Sequence, residues 1–413
     1  MKTCAVVGAG LRGQFAYPPY VKEYGGLKFV AVADLIPGRI ESFKKEYNIS
    51  DDMCFETAEE LLQQPKLADA IIIATMDQDH YQEAISAIKL GYDILLEKPI
   101  SPSLKECLEI ERLAKEYNTK IIVCHVLRYT PFYKKLKELL DNKILGQIIN
   151  VEAMENVGHW HQAHSFVRGN WRNEATSSPM ILQKCCHDLD IYTWLINSEA
   201  EYLSSFGDLA YFNESNAPKD SPKCCLDNCP NRNNCRYDVY KTYLTDDIGW
   251  PTNAIGTDMS IEGRTKSLRE TSYGNCVFHS DNTVVDHQTI NIKYKNGVTM
   301  VFTMTAFTED CNRTLRIMGT KGEIKADMNK NYIEFIDFLE GRKEVFEIEK
   351  QSKGHGGGDF GIMHDFIGLL NDEMKNTNPI TGSVHSHILA FAADESRNTN
   401  KTINIDEFVK KNI

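Results

Sequence analysis

Thr3-Cys-Ala-Val-Val7 runs straight into Gly8-Ala-Gly10-Leu-Arg-Gly13. An apolar strand therefore ends in a glycine-rich turn that opens a helical stretch. A G-x-G-x-x-G in that context is the pattern of a dinucleotide-binding turn. Gly8 makes the tight turn, Gly10 lets the backbone approach a pyrophosphate, and Gly13 lets helix and strand pack closely, with the anion at the helix N-terminus. Leu11 and Arg12, held between the glycines, are expected at the same cofactor. Asp34 closes the second apolar run, 21 residues after Gly13. A carboxylate there accepts hydrogen bonds from both ribose hydroxyls and repels a 2′-phosphate, so NAD is expected over NADP. Arg39, close by in sequence, is the residue that would suit the phosphate.

Outward from that turn, short apolar runs alternate with amphipathic stretches. Thr3–Val7, Phe29–Ala33, Ala70–Ala74, Ile94–Leu96 and Ile121–Cys124 read as strands buried on both faces. Pro37–Tyr47, Thr57–Leu62, Tyr81–Leu90 and Leu104–Tyr117 space their apolar residues for one buried helical face. This predicts an α/β, doubly wound parallel sheet over residues 1–125, a Rossmann domain. The texture then changes. Pro131–Leu140 reads as a helix. Gly146–Val157, Val284–Tyr294, Val298–Phe307 and Tyr332–Phe338 have β composition, and Tyr294-Lys-Asn-Gly297 predicts a hairpin turn. Residues 126–413 are expected to form a second α/β domain, interrupted by an irregular, Cys-rich excursion over about 204–275. Gly354–Gly358 reads as a loop with Asp359 as N-cap of the following helix.

The chain has 413 residues and a net charge of -12, with 42% hydrophobic residues. There is apolar material for two cores, and the acidic balance argues against nucleic-acid binding, which needs basic surface. No run of about 18 apolar residues suggests a membrane span. The short lead into the glycine motif leaves no room for a secretory signal, so a cytoplasmic setting is expected. Twelve cysteines in such a setting read mostly as buried reduced thiols.

Glu97-Lys98-Pro99 ends a late strand of the parallel sheet. With the glycine turn, the stretch from Ala74 through Asp79-His80 and Gly91, and His187-Asp-Leu-Asp190, it resembles the glucose–fructose oxidoreductase/inositol dehydrogenase/MocA-type (Gfo/Idh/MocA) family. That resemblance implies a Rossmann domain followed by an α/β domain with a large, mostly antiparallel sheet, through which copies pair as a homodimer or dimer of dimers. It implies hydride transfer between a nicotinamide cofactor and a secondary carbon of a sugar or cyclitol. It places Thr75, His80, Glu97 and Lys98 about the cofactor and makes Lys98 and His187 the catalytic residues. The chemistry agrees: removing hydride from a secondary alcohol requires the hydroxyl proton to leave, for which a neutral imidazole is suited, and an ammonium stabilises the developing alkoxide.

One departure stands out. Many family members carry Asp four residues before the histidine; here the position is Gln183, followed by Lys184. Gln183 can position a hydroxyl but cannot act as a base, and Lys184 adds a second cation. A second reading therefore stands beside the first: a glycosidase or lyase that oxidises a sugar carbon transiently and recycles its NAD. A third is a non-catalytic NAD-sensing regulator, against which Lys98 and His187 both weigh.

Residues 158–172 are dense in His, Trp and Arg. Trp160, His161, His164, Arg168 and Trp171 are candidate sugar contacts, joined by Gln183, Lys184 and His187, and Arg128-Tyr129 is a further candidate. The histidines of this segment are also a candidate metal set. Cys225, Cys229 and Cys235, in C-x3-C-x5-C spacing, with Cys276 as a fourth thiolate, suggest a structural zinc or iron–sulfur site; free thiols and disulfides are the other readings.

Overall fold

Hydrophobic runs without alternation become strands covered on both faces. The computed structural model describes residues 1–349, 351, 354–376 and 379–412. Its first sheet contains β1 (Lys2–Val7), β2 (Leu27–Ala33), β3 (Cys54–Phe55), β4 (Ala70–Ile73), β5 (Asp93–Leu96) and β6 (Ile121–Val123). Their order is β3-β2-β1-β4-β5-β6, and every pair is parallel. Successive residues of β1 serve different cores. Ala5 and Val7 pack toward Ile71, Ile73, Ala84 and Ile88, whereas Cys4 and Val6 pack toward Ile362, Met363 and Phe366. The last three residues belong to the helix Gly358–Leu370, so a segment from late in the chain returns to cover one face of the parallel sheet. Only β3 escaped the sequence reading; two residues are too few to carry a pattern.

The second sheet has nine strands: β7 (Ile148–Asn156), β8 (Ala200–Asp208), β9 (His287–Tyr294), β10 (Thr299–Thr305), β11 (Asn312–Gly319), β12 (Gly322–Asp327), β13 (Tyr332–Asp337), β14 (Lys343–Glu347) and β15 (Ile403–Asn404). The order is β14-β13-β12-β11-β7-β10-β9-β8-β15, antiparallel except for β7 beside β10. The Asn-Gly turn joins β9 to β10 as expected, with Gly297 at φ 89°. The inner face packs on the helices Cys186–Ile196 and Ile380–Thr399. The outer face is open and exposes Met154, Tyr202, Phe206 and Val301.

β8, β11, β12 and β14 were not foreseen. In β8 and β11 the alternation is masked by buried polar residues. Ser205 on β8 is buried, accepting from Gln288 and donating its backbone N–H to Ser396. Asn312 and Arg313 open β11 and are both buried. β14 is a largely exposed edge strand. The excursion read as starting at Ser204 thus begins after Asp208, and it contains the helix Ile261–Glu270. Asp359 is not an N-cap: the left-handed Gly357 precedes the helix, and the Asp359 carboxylate accepts from Arg12 instead.

Candidate active site

The glycine turn has the shape its motif predicts. Gly8 sits at φ +85°, and a Cβ there would lie 2.5 Å from the Ala74 carbonyl oxygen. A Cβ on Gly13 would lie 1.9 Å from the Gly8 carbonyl oxygen, so helix and strand touch backbone to backbone. A Cβ on Gly10 would meet only the Arg39 guanidinium, at 3.6 Å, leaving an open approach. The helix begins as a wide, π-type turn over Leu11–Ala16. Asp34 stands at the end of β2, accepts the Ile36 N–H at 2.8 Å and lies 3.7 Å from Arg39 Nη1.

Four polar residues assigned to the cofactor have partners within the protein. The Arg12 guanidinium pairs with Glu97 at 2.6 Å and Asp359 at 2.9 Å, and donates to the Tyr17 hydroxyl at 2.5 Å. Glu97 also accepts from Tyr17. Burial raises the Glu97 carboxyl, but Arg12 and Lys98 together outweigh it and hold it below its usual range. Arg12 and Glu97 thus form a buried brace between the glycine turn, the end of β5 and the helix Gly358–Leu370. Tyr17 gave no sequence signal because nothing marks it as polar until its partners are known. His80 is also structural: its Nδ1 is 2.7 Å from the Pro99 carbonyl oxygen and its Nε2 3.3 Å from that of Thr75, tying two strand ends. Thr75 donates its hydroxyl to Glu83 at 2.5 Å.

Beyond β5, Lys98 precedes a cis peptide to Pro99 and donates from Nζ to the Gln183 carbonyl oxygen at 2.8 Å. His187 lies four residues further on, in the first turn of the helix Cys186–Ile196. Lys98 and His187 therefore share one site. Burial first, then the charge of Lys98, pushes the His187 imidazole well below its ordinary value, so it is neutral near pH 7 with Nδ1 unpartnered. Behind it stands His125, edge-on at 5.7 Å between ring centroids, with its Nδ1 3.0 Å from Asp190. Arg128 clamps Asp190 at 2.5 and 2.6 Å, so it is bound inside the site and is not a substrate contact. Burial raises the Asp190 carboxyl, and Arg128 with His125 outweighs it, drawing it down to about 2. The legible traces of this line were Asp190, one turn beyond His187, and Arg128.

Gln183 donates its side-chain amide to the Trp171 and Ser178 carbonyl oxygens at 2.9 and 2.8 Å, while its Oε1 is buried without a partner. Lys184 is not a free second cation. It lies 3.1 Å from Glu155, which also pairs with Arg313 at 2.9 Å, and Arg313 holds Asp188 at 2.7 Å. Two cations and two carboxylates cancel.

The polar segment divides. Trp160 and His161 stack at 5.6 Å, and both meet Trp250, at 5.4 and 5.1 Å. Trp250 is 44% exposed and comes from the excursion, where no spacing marked it. His161 is half-buried near Lys184; burial and that charge push its imidazole well below its usual value. His164 is buried, stacked on Tyr273 at 5.1 Å, with Nδ1 2.9 Å from the Tyr243 hydroxyl. Arg168 is a correction: it is 1% exposed and donates to the Asn275 and Tyr237 carbonyl oxygens, both at 2.7 Å, so it locks the excursion and is not a sugar contact. Trp171 packs half-buried on the main core. Among the described residues, the metal-sized histidine group is not in this segment but is His125, Cys186 and His387. There His387 accepts the Ile100 N–H at 2.9 Å, and its Nδ1 lies 2.7 Å from the Ser383 carbonyl oxygen, so both ring nitrogens are taken. Cys225, Cys229, Cys235 and Cys276 line one small cavity, all as free thiols.

A glycine turn at the carboxyl ends of parallel strands, facing a lysine and a neutral imidazole, defines an NAD(P)-binding oxidoreductase. Residues 2–125 match the NAD-binding Rossmann fold of the Gfo/Idh/MocA oxidoreductase family and residues 137–407 match its C-terminal alpha/beta domain. The chain belongs to that family. It is 23% identical over 332 residues to the putative oxidoreductase YteT of Bacillus subtilis, covering 76% of this chain and 75% of that one. It is 22% identical over 222 residues to inositol 2-dehydrogenase/D-chiro-inositol 3-dehydrogenase of Lactiplantibacillus plantarum, covering 54% of this chain and 60% of the relative. An oxidoreductase of Agrobacterium radiobacter, solved with NAD+, L-tartaric acid and magnesium, shares the fold with a TM-score of 0.71 at 15% identity, covering 98% of this chain and 99% of that one.

Proposed function

We propose that this chain transfers hydride between NAD and a secondary carbon of a sugar or cyclitol, with residues 1–125 holding the dinucleotide and residues 126–413 the substrate. The observation that carries it is the Lys98–Gln183 hydrogen bond at 2.8 Å, which ties the lysine at the end of β5 to the segment bearing His187. NAD fits the turn: Gly10 leaves the backbone open, and Asp34 presents a buried carboxylate that would accept from ribose hydroxyls and repel a 2′-phosphate. When bound, the nicotinamide supplies the hydride acceptor or donor.

The remaining chemistry belongs to the chain. His187 is held neutral, so it can take the hydroxyl proton at a ring nitrogen as carbonyl character develops. Lys98 places a positive charge beside the developing alkoxide. His125 packs edge-on behind the imidazole and is itself held by Asp190, which fixes the ring's place. Gln183 Oε1, buried and unpartnered, is a ready acceptor for a substrate hydroxyl. Trp160, His161 and Trp250 form an aromatic wall suited to a pyranose or cyclitol face. The inositol dehydrogenase named among the relatives supports the substrate class. The open outer face of the nine-stranded sheet, with Met154, Tyr202, Phe206 and Val301 exposed, is the surface through which two copies pair.

A panel of free sugars and cyclitols, followed at the nicotinamide absorbance band, tests this. At least one is expected to reduce NAD+ faster than NADP+, and His187→Ala is expected to lower kcat by roughly 10³-fold while cofactor binding stays intact. Release of an aglycone from a glycoside with no net reduced nicotinamide replaces this reading with the NAD-recycling one. For that alternative the supporting observation is Gln183 itself, an amide where a carboxylate would serve a simple dehydrogenase.

A further inference from the structure

The functional reading leaves the cysteine loop unused. Cys225, Cys229 and Cys235 come from one turn of chain and Cys276 from another, some 40 residues on. Backbone bonds draw the two together: the Cys225 N–H reaches the Gly274 carbonyl oxygen at 2.9 Å, and the Cys276 N–H that of Lys223 at 2.7 Å. All four sulfurs line the same cavity, whose walls include Pro222, Arg232 and Phe278, and the Cys225 and Cys276 side chains are hydrogen-bonded to one another.

Beside the cavity lies an unbalanced charge. The Arg168 guanidinium is buried, and its hydrogen-bond partners are two backbone carbonyl oxygens and the Cys225 sulfur, at 3.4 Å. None is a carboxylate. A buried cation without a counter-ion is costly, and a neutral thiol does not offset it. Four thiolates around a divalent metal carry a net double negative charge and would. The loop also needs an anchor. Its two apolar clusters, around Phe212, Tyr237 and Phe278 and around Leu226, Tyr243 and Leu268, are small and separate from the main core.

We propose that Cys225, Cys229, Cys235 and Cys276 are the ligands of a structural metal centre, zinc or iron–sulfur, that fixes the excursion against Arg168. Each thiol loses its proton on binding; with zinc no electron is transferred, and a cluster balances when ferrous and ferric iron are supplied together with sulfide. No three of these sulfurs lie mutually within 4.8 Å. Zinc at about 2.3 Å from each sulfur would hold all four roughly 3.8 Å apart, so loading requires Cys229 and Cys235 to close on the contacting Cys225–Cys276 pair. The centre would act on the site at a distance, because the excursion it anchors packs Tyr243, Trp250 and Tyr273 against His161 and His164.

The test uses the full chain purified anaerobically, then reconstituted once with zinc and once with iron and sulfide. Elemental analysis is expected to give about one zinc per chain, or about four irons with visible charge-transfer absorbance; the latter identifies a cluster. Binding is expected to vanish in Cys229→Ser and Cys235→Ser and to persist in Cys311→Ser, whose thiol lies outside the loop. The four thiols should resist a thiol reagent in the loaded protein and react after chelation, a readout that does not depend on the variants folding or on any catalytic activity. Less than about a tenth of an equivalent of either metal after both reconstitutions, with all four thiols equally reactive throughout, overturns the proposal.

Discussion

The parallel sheet and the cysteine-bearing excursion hold their backbones by opposite means. In the sheet, β1, β4 and β5 are apolar runs whose N–H and C=O groups are spent on one another, and each strand buries side chains on both faces. In the excursion there is little ladder. Arginines replace it: Arg168 donates to Asn275 and Tyr237, Arg264 to Tyr243 and Thr245 at 2.7 and 2.8 Å, and Arg269 to Leu226 at 3.0 Å, each onto a backbone carbonyl oxygen. A segment without a sheet or large core must still satisfy its buried carbonyls, and a guanidinium with five donors can serve several at once. The lesson is that a conspicuous arginine near a substrate site can belong to the scaffold.

This contrast can be broken most severely at Gly13. Gly13→Val places a side chain where even a Cβ would be 1.9 Å from backbone. It is expected to cost more than about 4 kcal/mol and to abolish dinucleotide binding, as read by thermal unfolding and a cofactor titration. A folded variant that still bound cofactor would mean that the helix–strand contact is not tight. Arg168→Met tests the other side. Removing the donors of two buried carbonyls should cost about 3 kcal/mol, seen by hydrogen exchange as lost protection over residues 224–276 with β1, β4 and β5 unaffected. Equal loss in both regions would show one cooperative unit and erase the distinction.

Acid sharpens the comparison more gently. Burial, with Arg168 beside it, lowers the His164 imidazole to about 4, and burial lowers His387 to about 3, both from 6.5. Each is neutral in the fold and protonates more readily once unfolded. Between pH 6.5 and about 4 the unfolded chain therefore binds more protons, and stability falls as pH falls, by up to about 1.4 kcal/mol per pH unit per histidine. His164 lies at the seam with the excursion, stacked on Tyr273. Exchange in that seam should accelerate with acid, and His164→Phe should flatten the slope of stability against pH; an unchanged slope would remove His164 from the account.

The regions also differ in how much of them could be read in advance. Asp34, the glycines and Lys98 were legible because the cofactor site of a doubly wound sheet is built from strand ends and the turns immediately after them. His187 was legible through its resemblance to a family pattern. The Arg12–Glu97–Asp359 brace was not legible because its members are distant in sequence. Arg168 was misassigned because an arginine that donates to carbonyls looks, as a letter, like one that binds ligand. Trp250 and His125 were missed because neither carries a periodic or spaced signal.

The sequence alone determined the order of all but the shortest strand in the first half and the glycine turn, since each depends on contacts between near neighbours or on a hydrophobic period, while Lys98 and His187 were marked by resemblance to a family pattern. Only the tertiary structure decided which charges are spent on one another, which cysteines meet, and which aromatic side chains gather around Trp250. Those outcomes depend on distances between residues far apart in the chain, and a buried charge is either a ligand-binding group or a brace according to what lies within a few ångströms of it.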